Sequence, residues 1–326
     1  MSKNLKRILT GIQSTGVPHL GNILGAIIPA INFSKRDDVE SYLFIADFHS
    51  LTQIKNSKVL RKNTLYTASA WLACGLDPNK TIFYRQSDVP QVTELAWYLS
   101  CFFPYNRLTL AHSFKDKKAR LDDINSGLFN YPILMAADIL LYDAEIVPIG
   151  KDQLQHLEIT RNVANRFHNI FGETFILPKE DLQQNTKLIP GTDGEKMSKS
   201  KNNIIDIFAT EKELKKQIHS IHTNSTALES PKDWKKCNLF KIYSLIASKE
   251  EVKIMKENYE RGGYGYGHGK KELIELIHNK YSSEREKFQY YISNPIEVDK
   301  ILSKGASKAK LTADKVLERV RKKIGY

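Results

Sequence analysis

The 326-residue chain has three cysteines, Cys74, Cys101 and Cys237, and they lie far apart. This excludes a disulfide framework and a Cys-x-x-Cys zinc site, so no protein-bound zinc is expected and a reducing cytoplasm fits. No apolar run approaches the roughly 20 residues that a spanning helix needs. The segment after the basic start MSKNLKR is broken by Gly and polar residues, which argues against a signal peptide. Internal repeats and low-complexity linkers are absent, and neither GxGxxG nor a P-loop occurs. Acid is in short supply as well: 37 Asp and Glu face 49 Lys and Arg, a formal net charge of +12. Such a balance suits an anionic partner, nucleic acid or a membrane surface, and suits equally a lysine-rich solvated surface.

What the chain does contain is 41% hydrophobic residues, enough for a large core and two domains. Residues 8–12 read as a strand, and GIQSTGVPHLGN (11–22) as the turn that joins it to a helix. Gly11, Gly16 and Gly21 allow the backbone to turn tightly and approach a ligand, and the helix start beyond them offers free N–H groups. Leu20, Ile23, Leu24, Ile27, Ile28 and Ile31 share one helical face. The runs 42–46 and 81–84 read as further strands around a helix at 58–74. This β-α-β alternation predicts a parallel sheet whose ligands sit at the carboxyl ends of the strands. Gln13, His49 and Gln86 follow those ends.

Residues 91–105 form a helix rich in large apolar groups, either core or subunit interface. The polar run around Lys115, Lys117, Lys118 and Arg120 reads as a solvated loop. In the apolar helix YPILMAADILLY (131–142) the one ionisable group is Asp138. A carboxylate there is costly to bury unless it is paired or serves a ligand, and Ala136 and Ala137 leave room for a bulky one. A strand at 145–149 leads through Gly150-Lys151-Asp152 into another helix. Residues 187–203 read as a mobile loop carrying Lys196, Lys199 and Lys201, ammonium groups able to close over phosphates. From about 206 the pattern is helical: 210–222, 238–248, 250–259, 270–292 and 296–323, with RGGYGYGHGKK (261–271) as a connecting loop. The expected fold is an α/β, Rossmann-like parallel-sheet domain over 1–205 followed by an all-helical domain over 206–326.

GIQSTGVPHLGN resembles the first signature of the class I aminoacyl-tRNA synthetases, and Lys196-Met197-Ser198-Lys199-Ser200 is their second signature, complete. With YPILMAADILLY, GKDQLQH and the overall layout, the chain resembles the bacterial tryptophanyl-tRNA synthetases over nearly its whole length. Asn22 stands where the general class signature has its second His, and Leu9 where an aromatic is common.

That resemblance implies ATP-dependent attachment of L-tryptophan to tRNA(Trp) through an adenylate. Asp138 would accept the indole N–H, the one polar handle of that ring. Tyr131, Gln153, Gln13 and His49 would hold the amino acid's charged ends. Met135, Val147, Ile149, Gly11 and Leu9 would line the ring. ATP would lie against Gln13, Ser14, Thr15, His19, Gly21 and Asn22, with Gly150, Lys151 and Asp152 at the ribose, Leu188 at the adenine, and Met197, Ser198 and Ser200 in the loop. Lys196, Lys199 and Lys117, with His19 and Gln13, would carry the chemistry as charge develops on pyrophosphate. Mg²⁺ would arrive on the ATP phosphates, and the family implies a homodimer without membrane attachment. The rivals are a tyrosine-specific relative, an adenylating paralogue that ignores tRNA, and a non-catalytic nucleic-acid-binding protein.

Overall fold

The computed structural model describes residues 5–111, 124–150, 153–182 and 189–326. Strands β1 (Lys6–Ile12), β2 (Val39–Ile45), β3 (Thr81–Arg85), β4 (Ile146–Ile149) and β5 (Lys179–Leu182) form one parallel sheet in the order β3-β2-β1-β4-β5. Parallel neighbours need crossover connections, which helices provide. α1 runs through Leu20–Asn22, a π-helical turn Ile23–Ile27 and Ile28–Ser34. Pro29 cannot donate to the carbonyl of Gly25, and the widened turn before it absorbs the conflict. α2 (Ser57–Ala73) leads to β3, α3 (Gln91–Phe102) and α4 (Ser126–Leu140) to β4, and α5 (Leu154–Phe171) to β5. The chain moves outward from β1 to β3 and then returns to β4 on the other side of β1. The crevice of this sheet therefore opens at the ends of β1 and β4.

Six helices follow: α6 (Glu211–His219), α7 (Asn238–Ile246), α8 (Lys249–Arg261), α9 (Tyr266–Lys280), α10 (Ser282–Ser293) and α11 (Pro295–Ile324). The sheet is buried on both faces. Leu43, Ile45 and Phe83 pack with α1, α2 and the buried residues of 205–302 in one continuous core. Leu9, Tyr42, Phe44, Tyr84 and Val147 face a second core with α3, α4, α5 and the alanine face of α11. The apolar packing thus runs on past residue 205. α11 lies against the edge strand β3, so closely that a Cβ on Gly305 would stand 1.8 Å from the carbonyl oxygen of Phe83. An uncovered edge strand invites pairing with another chain, and this helix covers it.

The structure differs from the sequence-based reading in several elements. The single helix expected over 270–292 breaks at Tyr281 into α9 and α10. Half of RGGYGYGHGKK is helical: α9 starts at Tyr266, with His268 Nδ1 accepting from Gly265 N at 3.1 Å. Gly269 is needed there because a Cβ would lie 2.7 Å from Tyr259 Oη. Strand β5 (KEDL) has no apolar alternation to announce it, being a polar edge strand. α4 begins at Ser126 rather than 131, capped by Asn125, whose Oδ1 accepts from Leu128 N at 3.0 Å.

Candidate active site

A cavity of about 510 Å³ opens at the carboxyl ends of β1 and β4, a size typical of small-molecule sites. All ten residues expected around the amino acid line it: Leu9 and Gly11 from β1, Gln13 just after it, His49 after β2, Tyr131, Met135 and Asp138 from α4, Val147 and Ile149 from β4, and Gln153. Gly150, expected at the nucleotide, lines it too, and Gln13 was expected at both substrates. The spacing of Tyr131, Met135 and Asp138 at four and three residues puts them on one side of α4.

Asp138 is 3% exposed and fully held. Its Oδ2 lies 2.8 Å from His49 Nε2, and Gln86 Nε2 donates to both oxygens at 2.7 and 2.9 Å. Gln86 is aligned by Phe48 N, which donates to its Oε1 at 3.1 Å. Burial pushes the carboxyl's pKa up; the N–H groups of His49 and Gln86 oppose that. A carboxylate has about four acceptor positions, and this one keeps capacity for a ligand donor such as an indole N–H. His49 has a second polar atom, Nδ1, that is buried without a partner. At the other end of the cavity Gln13 Nε2 donates to Tyr131 Oη at 3.0 Å, and His156 Nδ1 lies 3.0 Å from Gln153 Oε1. The Tyr131 ring sits edge-on to His49, with centroids 4.4 Å apart. The cavity is therefore apolar along its length, with a carboxylate at one end and a polar group of Gln, Tyr and His at the other.

The glycine turn and the lysine loop meet directly. His19 and Asn22 cap each other: Asn22 N donates to His19 Nδ1 and His19 N to Asn22 Oδ1, both at 3.2 Å. With Nδ1 accepting, the imidazole proton resides on Nε2 and can be donated to a ligand. Burial, with help from the charge on Lys199, holds the pKa of His19 down at about 4, so it is neutral at pH 7. Gly21 N donates to Met197 Sδ at 3.3 Å, so the amides of both Gly21 and Asn22 are engaged in this structure. A phosphate reaching that helix start would have to displace Met197. Ser14 is buried, its N and Oγ both joined to Ser50 Oγ, at 3.0 and 3.1 Å, while Thr15 is exposed.

Lys199 Nζ lies 3.1 Å from the point where a Cβ on Gly16 would stand. Burial lowers its pKa to about 8, opposed by the charge of Asp206. Composition suggested a mobile loop; here it is docked, because Asn203 replaces water for its backbone. Asn203 Oδ1 accepts from Ser198 N at 2.7 Å, and its Nδ2 donates to Lys196 O at 3.1 Å and to Asp193 Oδ1 at 2.8 Å. Asn238, the first residue of α7, donates to Gly191 O at 2.8 Å. Ser198 and Ser200 hydroxyls lie 2.9 Å apart.

Lys117, Lys151, Asp152 and Leu188 lie outside the described residues. Sequence reasoning missed Phe44, whose ring fills the space beside Gly11, at 2.5 Å from where a Cβ would lie, and so supplies an aromatic wall next to Leu9. It was hidden in an apolar strand run. Gln86 stood in the right place, after β3, but nothing in the sequence linked it to Asp138; His156, three residues after Gln153, shares its helical face, and the two side chains do meet. Asn203 and Asn238 carry no signal in a single sequence.

The family described as "tRNA synthetases class I (W and Y)" matches residues 1–282. Tryptophan--tRNA ligase of Campylobacter jejuni is 46% identical over 319 residues, covering 98% of this chain and 99% of that one. The enzyme of the same name from Rhodopirellula baltica is 45% identical over the same shares of both chains. Tryptophanyl-tRNA synthetase from Campylobacter jejuni, solved in complex with ADP and tryptophan, superposes with a TM-score of 0.94 at 46% identity and covers 98% of this chain and 100% of that one. With this site geometry, and with matches that run along both chains, the protein belongs to the tryptophan and tyrosine branch of the class I tRNA synthetases.

Proposed function

We propose that the protein attaches L-tryptophan to tRNA(Trp) in two steps. The observation that carries this reading is Asp138: a buried carboxylate, oriented by Gln86 and His49, in a cavity that is also lined by Gly11 and Gln13 of the glycine turn. Phenylalanine has no ring N–H to offer the acceptor position that Asp138 keeps free, so the pocket can reject it without editing. Tryptophan lies with its ring between Leu9, Phe44, Met135, Val147 and Ile149 and its charged ends at Gln13, Tyr131, Gln153 and His49. A carboxylate oxygen of tryptophan attacks the α-phosphorus of ATP in line; the bond to the bridging oxygen breaks and pyrophosphate leaves with the electron pair. Lys199, Lys196 and the Nε2–H of His19 stabilise the charge that develops, and no side chain acts as nucleophile. The terminal 2′-hydroxyl of tRNA then attacks the activated carbonyl and AMP leaves.

Among the described residues no three His, Cys, Asp or Glu side chains gather to hold a metal ion. Mg²⁺ carried by the ATP phosphates is part of this proposal. When bound, Mg²⁺ neutralises phosphate charge. Lys117, Lys151, Asp152 and Leu188 belong to the same ATP site by resemblance. The division into a catalytic part, 1–205, and an anticodon-reading helical part, 206–326, is part of this proposal, as are a homodimer and a cytoplasmic location. No helix among the described residues is long and apolar enough to cross a membrane.

Pyrophosphate exchange with purified protein tests the reading. Exchange should require ATP and tryptophan, with tyrosine inactive, and tRNA(Trp) should become charged. Asp138→Asn, which keeps the volume and loses the charge, should lower kcat/KM for tryptophan by ~100-fold or more and narrow discrimination against phenylalanine. Tyrosine-dependent exchange, or discrimination that survives in Asp138→Asn, would overturn the assignment of Asp138.

A further inference from the structure

The exposed flank of α2 is unlike the other charged helices of the molecule. Residues 48–76 contain no Asp or Glu, and Lys55, Lys58, Arg61 and Lys62 are all exposed. On other helices some lysines are matched four residues away by glutamate: Lys215 with Glu211, Lys256 with Glu260, Lys271 with Glu275 and Lys322 with Glu318. α2 has no acid to play that part. Lys55 Nζ turns back to donate to Leu51 O at 2.8 Å, and Lys62 Nζ lies 5.3 Å over the Tyr66 ring. Lys58 and Arg61 have no such engagement, and helical spacing puts them on one side with Lys62.

The position of this flank gives it a meaning. The opposite side of α2 supports the glycine turn: Thr67 Oγ1 donates to Gly16 O at 3.5 Å, and Asn63 Oδ1 lies 3.9 Å from a Cβ position on Gly16. Lys199 Nζ occupies the same spot from the other direction. The basic flank is thus separated from the adenylate-forming turn by roughly the 10 Å thickness of one helix. It also belongs to the α1/α2 face of the sheet, whereas α3, which carries the exposed Trp97, packs on the other face. A dimer formed through α3 leaves it open.

We propose that the outer flank of α2, with Lys58 and Arg61 at its centre, receives the acceptor stem of the RNA substrate and grips its backbone phosphates beside the mouth of the site. The inference rests on the tRNA-charging reading above. A polyanion whose 3′ end must reach the turn carries its next phosphates over this wall, and a row of unmatched cations is what such a backbone complements.

The test uses the full-length protein with Lys58→Glu/Arg61→Glu and Lys58→Gln/Arg61→Gln double variants. Tryptophan-dependent pyrophosphate exchange should be unchanged, which also reports an intact fold. Affinity for an RNA minihelix copying the acceptor stem should fall roughly tenfold in the charge-reversal pair, less in the neutral pair, and the KM for tRNA in charging should rise in parallel. The slope of log affinity against log salt should become shallower by about one for each phosphate that is no longer neutralised. If charge reversal also abolishes exchange, the neutral pair decides. Minihelix affinity within about twofold of the parent overturns the proposal, as does a weakening confined to full-length tRNA, or weakened binding to phosphatidylserine vesicles with charging unaltered. A parent protein that exchanges pyrophosphate but charges no RNA would instead refute the tRNA-charging reading itself.

Discussion

Lys199 shows how a residue's surroundings set its usefulness. It is wedged against Gly16, and burial lowers its pKa to about 8. Because the pKa is lowered, the charged form is present below that value and is lost as pH rises through it. The kcat/KM for ATP in pyrophosphate exchange, which reports free-enzyme ionisations, should therefore decline above about pH 8. Lys199→Ala should cost on the order of 10²–10³ in rate. Lys199→Arg, which stays charged at all these pH values, should be slower but flat across that range. A decline that persists in the arginine variant would assign it to another group. His19 is held at about 4 and contributes nothing to the profile near neutrality. What the sequence conveyed at this scale was residue identity: the ten residues around the amino acid's expected place all line one cavity. It did not convey which atoms are already occupied. That the Gly21 amide is engaged, and that Gln86 aligns Asp138, depends on hydrogen bonds that span 176 and 52 residues of chain.

Among the elements, the helices were legible where apolar residues recur at helical spacing, as in α1, α2 and α11. They were misread where glycine or proline interrupts the pattern without interrupting the helix: Pro132 lies within α4, and Gly267 and Gly269 within α9. β5 was silent because an edge strand needs no apolar face. α11 offers the sharpest test at this scale. On an exposed helix, Gly→Ala gains about 1 kcal/mol from propensity. At Gly305 the added methyl would meet the carbonyl of Phe83 at 1.8 Å, so the helix must lift from β3. Gly305→Ala should thus lower stability by ~2–4 kcal/mol in urea unfolding. A neutral or stabilised variant would show that α11 is less firmly seated. Arg85 with Asp299 at 2.8 Å and Arg321 with Glu94 at 2.6 Å also tie α11 down, but solvent screening leaves such exposed pairs little weight.

For the molecule as a whole, composition left the meaning of the aromatic helix undecided, and the fold sharpens it. Leu95 and Leu99 of α3 are buried, while Trp97 is 70% exposed and Tyr105 and Leu110, just beyond, are 69% and 58% exposed. Large apolar groups left exposed along one stretch of chain suit an interaction surface. The protein should therefore sediment as a dimer at micromolar concentration, and Trp97→Glu should shift it to monomer. A parent that sediments as a monomer would refute the proposed assembly. The alternation of strands and helices was enough to anticipate the parallel sheet, because crossover geometry leaves few other choices. The return of α11 to that sheet was not foreseeable, since it depends on pairs such as Tyr42 Oη with Thr312 Oγ1, 270 residues apart. That long return has a consequence for synthesis. A ribosome releases the chain from its N-terminus, so β3 emerges more than 200 residues before Gly305. Throughout that interval the outer backbone of β3 has nothing to bond with, and a nascent chain beside another would be open to strand exchange. Protection arrives only when the last helix does, so any shielding until then must come from outside the chain.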